Sequence, residues 1–108
     1  MNRNLTVINL DSEAFEEKLR NDKNAVLIDV RTKEEYSEGH LPGSKLINIM
    51  SSKFISEIDK LDRTKNYYLY CRSGSRSYHA AMQMLQMGFN EVYNLENGIM
   101  DWSYPLNH

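Results

Sequence analysis

The chain has 108 residues, one cysteine and a net charge of -2, with the charged and apolar fractions of an ordinary soluble globular protein. That length supports one core and predicts one domain over 1–108, while the near-neutral balance argues against a general nucleic-acid binder. A lone cysteine excludes an internal disulfide, a Cys-x-x-Cys pair and a thiolate-rich zinc site. The N-terminal residues lack the apolar segment of a signal peptide, and no run is long enough to span a membrane, so the expected location is cytoplasmic.

Leu5 to Leu10 reads as a short β-type run. Asp11 or Ser12 then offers an N-cap for a helix through Arg20, with Phe15 and Leu19 facing inward one turn apart. After the polar turn Asn21 to Asn24, the nearly continuous apolar run Ala25 to Val30 suits a strand buried on both faces, with Asp29 as the exception inside it. A short helical piece is expected from Thr32 to Glu38, closed by the turn Gly39-His40-Leu41-Pro42-Gly43. Lys45 to Ile49 reads as a further strand. Ser51 or Ser52 would cap a helix through Leu61 whose Phe54, Ile55 and Ile58 share one face.

The polar turn Asp62 to Asn66 leads into Tyr67-Tyr68-Leu69-Tyr70, an aromatic and apolar strand. Next come Cys71-Arg72-Ser73-Gly74-Ser75-Arg76-Ser77 and a helix from His79 to Met87 carrying Ala80, Ala81, Met84, Leu85 and Gly88 toward the core. Met82, Met84 and Met87 are read as core gap-fillers. Glu91 to Leu95 forms a last strand, and Asn97 to Trp102 a final helical turn. His79 and His108, the latter at a frayed terminus, are read as incidental surface residues. Strands alternate with helices throughout, which predicts a mainly parallel sheet with right-handed crossovers and helices on both faces. Ligands of such sheets bind at the carboxyl ends of the strands, where the loop after Tyr70 lies.

That loop carries the chemistry. Where a strand hands over to a helix, backbone N–H groups without intrahelical partners and the helix dipole favour negative charge. A thiol at Cys71 then ionises more readily than a free cysteine, helped by Arg72 or Arg76, and Gly74 supplies the freedom a tight loop needs. Amides around the sulfur also stabilise charge on whatever it carries.

Two separated motifs resemble those of the rhodanese domain. Asp29-Val30-Arg31 with Glu35-Tyr36 and Gly39-His40-Leu41-Pro42-Gly43 is similar to its first signature, and Tyr70 to Ser77 is similar to its active-site loop; Gly88-Phe89 through Val92 to Leu95, Gly98-Ile99 and Trp102 resembles its end. The resemblance implies an α/β sandwich with a five-stranded parallel sheet wrapped by helices, and a sulfurtransferase of the thiosulfate type needing no cofactor or metal. It assigns Cys71 as the nucleophile that carries a sulfane sulfur as a persulfide. Arg72, Ser73, Gly74, Ser75 and Arg76 then form the substrate-binding loop, without the sequence deciding which arginine faces the substrate. Asp29 and Arg31 take a supporting role, and Glu35 and His40 are read with them as polar, ion-paired support. The implied partners are a small sulfur donor and a thiophilic acceptor, cyanide or a thiol, with a protein thiol as a further acceptor, and neither nucleic acid nor membrane.

Three other readings compete. Cysteine phosphatases and arsenate reductases use Cys-x5-Arg to hold an oxyanion, whereas here Arg76 stands at Cys-x4-Arg and Ser77 occupies the phosphatase arginine's place. A non-catalytic rhodanese-like binding module is disfavoured by the retained cysteine and complete loop. A persulfide carrier discharging to a partner protein is not separable from a thiosulfate enzyme by sequence.

Overall fold

The computed structural model describes residues 6–108, so Leu5 of the first expected strand lies outside the described residues. Five strands, β1 (Ile8–Leu10), β2 (Ala25–Asp29), β3 (Lys45–Leu46), β4 (Asn66–Tyr70) and β5 (Val92–Leu95), form one sheet in the order β1-β5-β4-β2-β3. Every pairing is parallel. Between them run α1 (Ser12–Arg20), α2 (Lys33–Glu38), α3 (Phe54–Asp59) and α4 (Ser75–Gln86), with a 3-10 turn at Ile99–Asp101.

Side chains alternate along β4, and the alternation divides the core. Tyr67, Leu69 and Cys71 pack on one face with Phe54 and Ile58 of α3 and Ala80, Ala81, Met84 and Leu85 of α4. Tyr68 and Tyr70 pack on the other with Phe15 of α1, Leu27, Leu41, Tyr93 and Leu95, with Leu19 and Trp102 at the margin. The near-continuous apolar sequence of β2 and β4 follows from this, because a central parallel strand is covered on both faces. Helices cover both faces as expected. Among the described residues no helix is long and apolar enough to cross a membrane.

Local chemistry accounts for the boundaries. The Asp11 carboxylate accepts from the Ala14 amide at 2.9 Å and caps α1. Thr32 and Glu35 form a reciprocal capping box that starts α2. Five expectations are corrected. The helix expected from His79 begins at Ser75, directly after Gly74 at φ +96, so Ser75, Arg76 and Ser77, expected in the loop, lie in the first turn of α4. The strand expected over 45–49 pairs only at Lys45 and Leu46, because Ile47 and Ile49 run past the end of β2, donating to the carbonyls of Asp29 and Val30. The next helix starts at Phe54 rather than behind a serine cap, since the Ser51 hydroxyl accepts from the Lys53 amide within a preceding turn. Ile55 points outward, 47% exposed, because a six-residue helix buries only Phe54 and Ile58, one turn apart. Gly88 stands beyond the end of α4 at φ +102, where the chain turns back toward β5.

The C-terminal segment is also tied down rather than frayed. Asn107 and His40 exchange two backbone hydrogen bonds of 2.8 and 2.9 Å, and His108 lies against Gly39.

Candidate active site

In the sheet order the connection after β4 runs to β5 on one side and that after β2, its other neighbour, runs to β3 on the opposite side, so the carboxyl ends of β4 and β2 form the switch point at which such sheets bind ligands. Cys71 follows β4 directly and is buried, on the face that α4 covers. Its sulfur receives the Gly74 amide at 3.1 Å and the Ser77 amide at 3.4 Å, and the Ser77 hydroxyl lies 3.4 Å away. Burial pushes the Cys71 thiol up, but hydrogen bonds from Ser77 and from the amides of Ser73 and Gly74 outweigh it, and the net displacement is downward.

The loop is held from outside by the chain after β5. Gly74 adopts φ +96, and a Cβ there would meet the Glu96 carbonyl oxygen at 1.9 Å; a Cβ on Gly98 would meet the Arg72 carbonyl oxygen at 2.1 Å. Both glycines are therefore required by close backbone approach as well as by positive φ. The amides of Ile99 and Met100 donate to the carbonyls of Cys71 and Arg72, fixing the outer side of the cradle.

The two arginines have different roles. Arg76 is bound bidentately by Glu35 of α2, at 2.8 and 2.9 Å. Hydrogen bonds from Arg76, aided by those from Thr32, outweigh burial and hold the Glu35 carboxyl at about 2, against an ordinary value of 4.5. Its charge is thus balanced, and it joins α2 to the first turn of α4. Arg72 is exposed beside the loop and makes no ion pair among the described residues. Ser73 and Ser75 are exposed on the rim, and Ser73 contributes through its amide.

Asp29 and Arg31 form a buried pair under the strand ends. The Arg31 guanidinium donates to both carboxylate oxygens, with Nη2 at 2.8 Å, and reaches the Gly39 carbonyl at 2.7 Å. Burial lowers the Arg31 guanidinium, the Asp29 hydrogen bonds raise it, and the net direction is up. The pair braces the turn at Gly39 and leaves the sulfur to the loop. His40 stacks on Tyr36, with ring centroids 3.7 Å apart, and its Nδ1 lies 2.9 Å from the Tyr36 carbonyl oxygen, so its ring packs on α2 and, unlike the ion-paired support expected of it, makes no salt bridge among the described residues.

Sequence reasoning missed two participants. Ser77 reaches the sulfur with both its amide and its hydroxyl, and Asn94 of β5 accepts the Ser77 hydroxyl. The available signal was a polar residue within the buried strand Val-Tyr-Asn-Leu, where a satisfied hydrogen-bonding role is required.

Residues 11–104 match the rhodanese-like domain family. A sulfurtransferase of Allochromatium vinosum is 30% identical over 94 residues, covering 87% of this chain and 86% of that protein. The putative sulfur carrier protein YrkF of Bacillus subtilis is 35% identical over 91 residues, covering 84% of this chain but 48% of that protein. Among solved structures, a rhodanese-related protein of Thermoplasma volcanium superposes with a TM-score of 0.80 at 28% identity, covering 93% of this chain and 97% of that one.

Proposed function

Because the chain belongs to the rhodanese-like domain family, we propose that it transfers sulfane sulfur through a persulfide on Cys71, with thiosulfate as a donor. Sulfur transfer in general is supported by the family and by relatives named sulfurtransferases. The observation that carries the finer reading is the cradle: the chain's one thiol lies at the carboxyl end of the central strand with two amides on its sulfur and its pKa displaced downward.

The Cys71 thiolate attacks the outer sulfur of thiosulfate, the S–S bond of the donor breaks, and sulfite leaves with the bonding pair. The outer sulfur remains as Cys71–S–S⁻, stabilised by the loop amides. Cyanide then takes the terminal sulfur as thiocyanate and regenerates the thiolate. A thiolate meeting the protonated persulfide does the same and leaves as R–S–SH. Neither loading from thiosulfate nor discharge to cyanide moves a proton, so Asp29, Arg31, Glu35 and His40 act through the shape of the loop. Arg72, the loop's uncommitted cation, attracts the dianionic donor.

The likeness to a putative sulfur carrier protein favours a second acceptor, a protein thiol, discharging the same persulfide. A reducing cytoplasm would keep Cys71 available for either. The test is sulfite release from thiosulfate in the presence of cyanide. Turnover by the wild type, with none by Cys71→Ser, is expected; equal release from both would dismiss the assignment.

A further inference from the structure

We propose that Asn94 tunes the nucleophilicity of Cys71 by holding the single hydroxyl proton of Ser77 away from the sulfur. The inference rests on reading Cys71 as the nucleophile, and it concerns three buried groups: Cys71, Ser77 and Asn94 are 1%, 0% and 2% exposed. Parallel pairing sets Asn94 opposite Leu69, two residues before Cys71, so both side chains fall on the face under α4.

The orientation of the Asn94 amide follows from its surroundings. Its Nδ2 lies 3.1 Å from the Gly74 carbonyl oxygen, which can only accept, and 2.9 Å from Asn9 Oδ1. Both Nδ2 hydrogens are therefore used, and Oδ1 must be the atom facing Ser77. The Ser77 hydroxyl makes a short hydrogen bond to that oxygen and a long contact of 3.4 Å to the sulfur. One hydroxyl has one proton. With the proton on the shorter bond, Ser77 presents a lone pair to Cys71, which welcomes an S–H but does nothing for a thiolate. To serve the thiolate the hydroxyl must rotate and leave Asn94. While that proton points to Asn94 the sulfur has only its amides, and the part of its downward displacement that comes from the Ser77 hydroxyl is realised only when the hydroxyl turns away from Asn94.

The chemical sense of this arrangement lies in a trade. A thiolate held too well is a poor nucleophile, because nucleophilicity falls as pKa falls, and the most effective attacking thiol has a pKa near the ambient pH. The same asparagine also donates to the Gly74 carbonyl, one peptide beyond the Gly74 amide that is the nearest donor to the sulfur. The charged groups around the loop are balanced independently: Arg76 by Glu35, and Arg31 by Asp29, with Arg72 exposed to solvent.

The test is the pH titration of the Cys71 thiolate by ultraviolet absorbance, taken as the difference from Cys71→Ser, in wild type, Ser77→Ala, Asn94→Leu and the double variant. Freed from Asn94, the Ser77 hydroxyl turns to the sulfur, and the pKa of Asn94→Leu falls by about one pH unit. Ser77→Ala stays at or below the wild-type value, and the double variant matches Ser77→Ala. At a pH where the thiol is fully ionised, Asn94→Leu reacts with thiosulfate about threefold more slowly than wild type. A rise of about one pH unit in Ser77→Ala, or an unchanged pKa in folded Asn94→Leu, would overturn the proposal. Should Asn94→Leu not fold, Ser77→Ala alone decides. The titration needs no sulfur donor, so a wild type that forms no persulfide would dismiss the nucleophile reading while this result stood apart.

Discussion

Replacing Glu35 by glutamine removes the charge that holds Arg76 while keeping an oxygen to accept from the Thr32 amide, so the capping box of α2 persists. The Glu35 carboxyl sits at about 2 in the folded chain against 4.5 ordinarily. At about 1.4 kcal/mol per pH unit that gap corresponds to roughly 3 kcal/mol. Part of that gap comes from the Thr32 hydrogen bonds that glutamine keeps, and the carboxylate is 24% exposed, so solvent screening and this share bring the expected contribution of the pair to about 1–2 kcal/mol. Because the folded value lies below the unfolded one, the contribution is complete above pH 4.5 and is lost as pH falls toward 2. Urea denaturation should therefore show Glu35→Gln less stable than wild type by about 1–2 kcal/mol at pH 7. The difference should shrink to under half at about pH 3 and nearly vanish at about pH 2. A stability difference of the same size at all three pH values would refute the ion pair as its source.

Arg31→Leu leaves the Asp29 carboxylate buried without its partner and should destabilise the fold by about 3–5 kcal/mol, far more than the partly exposed Glu35–Arg76 pair; a loss below about 1 kcal/mol in urea would contradict the brace. Arg72→Ala removes an exposed charge and nothing else, so KM for thiosulfate should rise by up to about fivefold with kcat little changed, the effect fading in high salt. A salt-independent loss of kcat would instead place Arg72 at the reacting sulfur.

Much of this was legible because local pattern and tertiary need coincide. The run Tyr67 to Tyr70 is apolar on both faces since both are covered, and the glycine and serines after Cys71 suit a loop that aims amides inward. Asp29 and Arg31, two residues apart at a strand end, announce a buried pair. What stayed hidden depends on residues brought together from afar. Nothing local ties Glu35 to Arg76, 41 residues on, so the sequence could not say which arginine was committed. Asn94 meets Ser77 only because β5 lies beside β4 under the first turn of α4. Ile55 fits a helical stripe on paper, but α3 is too short to bury a third apolar residue. The tail looks free until its backbone meets His40.

The central claim is that Cys71 carries the sulfur, and intact-protein mass spectrometry after incubation with thiosulfate tests it most directly. Wild type should gain the mass of one sulfur atom, lose it on addition of cyanide, and show neither change as Cys71→Ser. Folded wild type that gains no sulfur, or a Cys71→Ser variant that gains one, would contradict the account.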